Sequence, residues 1–328
     1  MRAFLILYLA LVASSPGDEN PALVSGLQKV MGRFPGEFRG GPLEVHVSEE
    51  TDCGDHLRRL ISYQSEPNNR VPAYLLIPKA ALIPSARPAS GVLCLHPTNI
   101  ELGAKVAVGL GGTANRAYAM ELAKRGFVTL APHYPTMGGY NPDLDKLGYQ
   151  SGTMKAIVDN VRGIDLFESL PFVKRGSFGA IGHSLGGHNA IFSAMFEPRI
   201  KVIVSSCGFD SFTDYYSGDP KMWEGGRGWT QKRYMPRLAD YAGRLDQIPF
   251  DFRDLIKGLA PRVVLINAPI GDSNFQWSSV DRIVTAARPA YQQQGAEGNL
   301  EVIHPDCSHD FPESARERAY QLLEKHLP

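Results

Sequence analysis

The sequence predicts an α/β protein: one mostly parallel sheet with helices on both faces. One observation predicts it, and a second marks an interruption in it. From residue 91 to the C-terminus, short apolar runs alternate with stretches of helical periodicity, the pattern of strands joined by crossover helices. One interval, 208–260, breaks that rhythm and is rich in charge, glycine and aromatic rings, among them Tyr215, Tyr216, Trp223, Trp229 and Tyr234. It is expected to be an insertion, or lid, between the sixth and seventh strands. The competing reading is a peripheral helical excursion with ordinary packing aromatics.

The elements follow in order. Residues 58–63 and 71–77 read as two strands separated by the turn-rich QSEPNNR. GVLCLH (91–96) is a compact apolar strand, with Cys94 expected as a small buried hydrophobe. A glycine-containing loop runs to Gly112. Residues 114–125 carry Ala114, Tyr118, Leu122 and Ala123 at helical spacing and stop at Gly126. FVTLAPH (127–133) is the next strand. Over 153–170, Met154, Ile157, Val158, Val161, Ile164 and Phe167 share one helical face before Pro171. Arg162 and Asp165, three apart, are expected to form a surface pair. SFGAIGH (177–183) is a strand and the helix-like HNAIFSAMF follows. Strands at 201–206, 263–268 and 300–304 and helices near 278–294 and 312–326 complete the series.

Composition excludes several functions. The 34 Lys and Arg balance 34 Asp and Glu, without the basic surplus of a nucleic-acid binder or a polybasic membrane-surface protein. With 328 residues, 43% of them hydrophobic, the chain can bury a large core, and α/β folds often use this length for one domain. Arg2, the apolar run 3–13 and the small residues Ser14, Ser15 and Gly17 have the layout of a secretory signal peptide. The expected division is a signal at 1–17, an extension at 18–54 and the main domain at 55–328, in a secreted or periplasmic protein. The run is short for a membrane span, so no stable membrane insertion is expected. Export permits disulfides among Cys53, Cys94, Cys207 and Cys307, but their spacing names no pair.

The chemistry concentrates at Gly182-His183-Ser184-Leu185-Gly186. A strand precedes Ser184 and a helix follows it, as a nucleophile elbow requires. There the N–H of Leu185, at a helix N-terminus, faces a developing oxyanion. A serine needs a base, usually a histidine held by a carboxylate. His309, in HPDCSHDF after the last strand, is the candidate; His304 closes the strand and His326 sits at the far end of the last helix. Asp272, in the loop after the 263–268 strand, is the candidate carboxylate, with Asp210 after the preceding strand as its competitor. In HPTN (96–99), Pro97 has no N–H to give, so Thr98 is the second oxyanion donor. Tyr134, His133 and Trp277, in loops near strand ends, and His183, inside the elbow, are candidates to line the substrate pocket. The cluster His304, Asp306, Cys307, His309 and Asp310 fits no zinc spacing, and neither Gly109–Gly112 nor Gly40-Gly41 gives a nucleotide-binding pattern. No metal or cofactor is expected.

The runs LCLHPTN (93–99), RGFVTLAPHYP (125–135), IGHSLGGHNAIF (181–192) and CSHDFP (307–312) resemble the α/β-hydrolase superfamily, in particular its dienelactone-hydrolase-like and acetyl-xylan-esterase-like bacterial branch. The resemblance covers about residue 55 to the end. It implies the α/β-hydrolase fold and a cofactor-free serine esterase with Ser184 as nucleophile, Asp272 as acid and His309 as base. Pro97 departs from the common His-Gly start of the oxyanion loop, and Ser184 from the cysteine of dienelactone hydrolases proper, which turns the expectation towards ordinary esters. By this analogy the first expected substrates are small-molecule or carbohydrate esters such as acetylated xylan. A serine peptidase of the prolyl-oligopeptidase type shares the elbow and the order of the triad, but the roughly 40 residues between the expected signal and the first strand are too few for the propeller such enzymes usually carry. A catalytically inactive binding protein on the same fold is the third reading. Oligomeric state does not follow from the sequence.

Overall fold

The computed structural model describes residues 21–36 and 39–327. Nine strands form its central sheet: β1 (His46–Asp52), β2 (His56–Glu66), β3 (Asn69–Pro78), β4 (Ala89–Leu95), β5 (Val128–Pro132), β6 (Val173–His183), β7 (Ile200–Ser206), β8 (Val263–Asn267) and β9 (Leu300–Ile303). Their order is β1-β2-β3-β5-β4-β6-β7-β8-β9. The first three strands and the β3–β5 pair are antiparallel, and every pair from β5 through β4 to β9 is parallel. This is the α/β-hydrolase fold.

Seven helices cover the two faces among the described residues: α1 (Pro21–Met31), α2 (Tyr118–Lys124), α3 (Gly152–Ser169), α4 (Leu185–Phe196), α5 (Phe252–Leu259), α6 (Trp277–Gln293) and α7 (Glu313–His326). The period of two along the strands sorts the core. Leu93, Leu95, Leu75 and Leu130 face α1, α3, α4, α5 and α6. Val92, Cys94, Leu76 and Ala131 face α2 and α7. Pro171 follows α3, as expected, and Ser151 caps its start by accepting from the Met154 N–H at 3.1 Å.

Three features depart from the sequence reading. Strand β1 precedes the expected first strand; all seven of its residues are exposed, so no apolar alternation marked it. Helix α1 lies in the expected N-terminal extension and buries Leu27, Val30 and Met31 in the core, beside the insertion. The extra strand moves the insertion to between β7 and β8. Arg162 and Asp165 do pair, at 2.7 Å, but Arg162 is buried and also donates to the Gly41 carbonyl, so the pair is internal. The expected signal segment 1–17 lies outside the described residues. All four cysteines are free thiols, with Cys94 fully buried. No described helix is long and apolar enough to cross a membrane.

Candidate active site

The site lies at the carboxyl ends of the parallel strands, where an open α/β sheet leaves its loops free to converge. Strand β6 ends at His183 and α4 begins at Leu185, so Ser184 alone makes the turn. It does so at φ 53°, ψ −120°, a conformation that a side chain makes unfavourable by about 1–3 kcal/mol. Its N–H donates to the Ser206 carbonyl at 2.7 Å and its carbonyl accepts from the His188 N–H at 3.0 Å, which holds the strained turn in place. The flanking glycines are required by contact. A Cβ on Gly182 would stand 2.2 Å from the Gly186 carbonyl carbon, and one on Gly186 would stand 1.9 Å from the Leu95 oxygen. Because Gly186 allows that approach, the start of α4 lies against the end of β4 and brings Leu185 to the loop 96–99.

That loop is fixed from both sides. His96 is buried and engages both ring nitrogens: Nδ1–H donates to the Pro97 carbonyl at 2.7 Å, and Nε2 accepts the Tyr134 N–H at 3.0 Å. Burial lowers its pKa to about 4, so the ring stays neutral and keeps this tautomer. On the other side, the Thr98 hydroxyl and the Tyr234 hydroxyl lie 3.0 Å apart. Tyr234 belongs to the insertion, which is thereby tied to the loop.

Asp272 reaches His309 as the order of strands β8 and β9 allows. Both carboxylate oxygens lie 2.9–3.0 Å from His309 Nδ1. Asp272 Oδ1 also accepts from the Asn274 and Phe275 N–H groups at 2.8 and 3.3 Å. Its side chain is only 1% exposed against 23% for His309, so the carboxylate stands behind the imidazole. Arg116 braces the same loop, pairing with Asp310 and donating to the His309 carbonyl at 3.2 Å. His183 packs edge-on to His309 with ring centroids 4.8 Å apart, and its Nδ1 lies 3.0 Å from the Ser206 hydroxyl. Burial, with the nearby Arg116 and His309, depresses its pKa well below the usual range.

A cavity of about 470 Å³ opens above these groups. Thr98, Leu185, Ser184, His183 and His309 line it, together with Tyr215, Trp229, Gln231 and Tyr234 from the insertion and Asn274 and Phe275 from the Asp272 loop. The insertion is therefore one wall of the cavity, and the packing aromatics and the lining aromatics are in part the same rings. Trp229 stacks on buried His188 with centroids 4.1 Å apart. The charged lining residue Arg116 is already engaged by Asp310 and His309.

Three expected pocket residues, Tyr134, Trp277 and His133, are not among those that line the cavity. Tyr134 is turned away from the cavity because its hydroxyl bonds the Arg233 carbonyl at 2.6 Å and the Thr153 hydroxyl at 3.2 Å under the insertion. Trp277 opens α6 on the outside, against His304 at 5.2 Å. His133 is buried against Gly103 and Gly138. Asp210 does not bond His309; its Oδ2 accepts the Gln276 N–H at 3.0 Å and its Oδ1 is buried without a partner. His304 bonds Asp281 and the Ala268 carbonyl. Sequence reasoning missed Arg116, Gln231, Asn274 and Phe275. The last two follow Asp272 within three residues, so their presence beside the carboxylate was accessible; Arg116 and Gln231 left no such signal.

Residues 114–326 match the prolyl oligopeptidase family. The chain belongs to this family. Comparison with curated proteins gives no significant match. Among solved structures, the chain is similar to a glucuronoyl esterase from Solibacter usitatus (18% identity, TM-score 0.71, covering 99% of this chain and 98% of that one). It is similar also to a glucuronoyl esterase from Teredinibacter turnerae (15% identity, TM-score 0.72, covering 96% and 86%). A third is acetyl xylan esterase 1 from a Thermoanaerobacterium species (18% identity, TM-score 0.56, covering 95% of each). At these identities the likeness of this family member to them is one of fold.

Proposed function

We propose that this protein is an exported serine esterase acting on carbohydrate esters. One observation carries the chemistry: Ser184, on its strained turn, and His309, backed by Asp272, line the same cavity. Ser184 Oγ attacks the ester carbonyl carbon. Its proton passes to His309 Nε2, the nitrogen Asp272 leaves free, and then to the departing alcohol oxygen. Asp272 holds the imidazole in the required tautomer and balances its charge when protonated. The N–H groups of Leu185 and Thr98 receive the negative charge that develops on the carbonyl oxygen. Water, activated by the same histidine, hydrolyses the acyl-enzyme and frees Ser184.

The lining supports a neutral, hydroxylated substrate. The rings of Tyr215, Trp229, Tyr234 and Phe275 offer apolar faces, and Asn99, Gln231 and Asn274 offer amides at their edges. Sugars present both kinds of surface. The fold relationship to glucuronoyl and acetyl xylan esterases points the same way. The family match favours a second reading, a serine peptidase. Against it, the Arg116 guanidinium is engaged, and no other charged lining residue offers a peptide terminus a counter-charge.

Hydrolysis of p-nitrophenyl esters of increasing acyl length, of acetylated xylo-oligosaccharides and of a dipeptide amide tests the assignment. The expected result is ester turnover that Ser184→Ala abolishes, with amide turnover weak or absent. Faster turnover of the amide would transfer the assignment to a peptidase. A folded protein inactive on all three would refute the hydrolase reading.

A further inference from the structure

Beside the proposed base, His309, lie two further donors, His183 and Cys207, to which the hydrolytic chemistry gives no step. Cys207 follows β7, and its backbone takes φ 48°. There it is buried, donating to the Asp310 carbonyl at 3.3 Å. A nitrogen of His183, a nitrogen of His309 and the Cys207 sulfur all lie within 4.8 Å of one another. The three residues come from the ends of three elements: β6, β7 and the loop after β9. Sequence spacing alone gave no hint of the grouping.

The chemistry of this set is specific. Two imidazoles and a thiolate make an N₂S donor group, which suits Zn²⁺ and Cd²⁺ and not Mg²⁺ or Ca²⁺. Zinc bonds of about 2.0–2.3 Å place tetrahedral ligands roughly 3.3–3.6 Å apart, so from separations of no more than 4.8 Å side-chain movements on the order of an ångström close the set. His309 and His183 line the same cavity, which gives a cation its way in. The Asp272 carboxylate stands beside Cys207 and adds negative charge to the site. A bound cation displaces the thiol proton to solvent.

From this arrangement we infer that His183, Cys207 and His309 form an inhibitory site for a thiophilic divalent cation of the zinc type. Its functional consequence rests on the esterase reading; its existence does not. A cation held there takes up a nitrogen of the base that otherwise receives the serine proton or donates to Asp272. Either loss stops the proton relay, and a chelator reverses it.

The test uses the full chain and two readouts. Cadmium titration followed by the ultraviolet thiolate-to-cadmium absorption, with zinc calorimetry, reads binding without reference to activity. Zinc inhibition of ester hydrolysis, with and without chelator, reads the consequence. The expected result is one equivalent bound, with full absorption and unaltered inhibition in the double variant Cys53→Ser/Cys307→Ser, which removes the two partly exposed thiols. Cys207→Ser abolishes the absorption and raises the inhibition midpoint beyond the ~10–100-fold that loss of an outer partner alone brings. Absence of the absorption in the wild type, its loss in the double variant, or its persistence in Cys207→Ser would overturn the site. The double variant answers the question even if Cys207→Ser does not fold. If no ester is hydrolysed, the absorption still decides the site while the functional reading fails separately.

Discussion

Asp210 offers a measurement that separates a buried carboxyl from the proposed catalytic one. It is 2% exposed, with one oxygen bonded to the Gln276 N–H and the other without a partner. Burial, reinforced by Asp214, Asp251 and Asp272, raises its pKa to about 8. The folded protein therefore holds a proton that the unfolded chain, with an ordinary carboxyl near 3.8, releases. Between those two values the folded state binds more protons, so stability falls as pH rises. The contribution is fully present below pH 3.8 and is exhausted above pH 8. Integrated from pH 5 to pH 9, this one group lowers folding stability by about 4 kcal/mol. Asp210→Asn imitates the protonated shape without a titrating proton, so it removes that slope. Urea denaturation midpoints of wild type and variant at pH 5, 7 and 9 measure the difference, and contributions from other groups cancel. Parallel pH dependences in the two proteins would refute the argument. So would a loss of ester hydrolysis in Asp210→Asn comparable to the roughly 10⁴-fold loss expected of Asp272→Asn, because Asp210 makes no bond to His309.

Three further outcomes are expected. Tyr234→Phe removes the hydrogen bond to the Thr98 hydroxyl, worth about 1 kcal/mol; kcat falls about fivefold in steady-state assays, and an unchanged kcat would show that the insertion does not support the oxyanion loop. Gly186→Ala places a methyl group 1.9 Å from the Leu95 oxygen; thermal denaturation is expected to show a severe loss of stability, and a near-native Tm would contradict the close approach of α4 to β4. His188 is buried between Trp229 and Phe252 with neither ring nitrogen bonded, and burial lowers its pKa to about 3. Its contribution is full above the unfolded value of 6.5 and falls as pH drops towards 3, by about 2 kcal/mol at pH 5. His188→Phe retains the stack and should flatten the stability profile in that acid range, as read by denaturation at pH 7.5 and 5.

Much of the fold was legible because its central strands are buried on both faces and therefore run apolar without interruption. GVLCLH and KVIVSS could be little else. The elbow was legible because its geometry demands glycine at two fixed offsets from Ser184. Strand β1, with the sequence HVSEETD, was not, since all its residues are exposed and it is held to β2 by backbone pairing and exposed polar contacts such as Glu50–Arg59 rather than by apolar burial. Helix α1 does carry a signal: Leu23, Leu27, Val30 and Met31 fall on one face. Proximity to the apolar run 3–13 in the sequence obscured it. Tyr134 and Trp277 show the remaining limit. A loop position near a strand end was readable, but the direction of the side chain depends on partners such as the Arg233 carbonyl and His304 that are distant in sequence. The grouping of Cys207 with two histidines was hidden for the same reason.

The turn at Ser184 has a consequence beyond its proposed role as nucleophile. At φ 53° glycine would fit with less strain than any residue bearing a Cβ. A chain shaped by folding stability alone would drift to glycine at this position, becoming more robust and losing its hydroxyl. That a serine stands there marks the turn as a place where evolution has answered to something other than persistence of the fold. Screens for thermostability that ignore turnover should find Ser184→Gly among their winners.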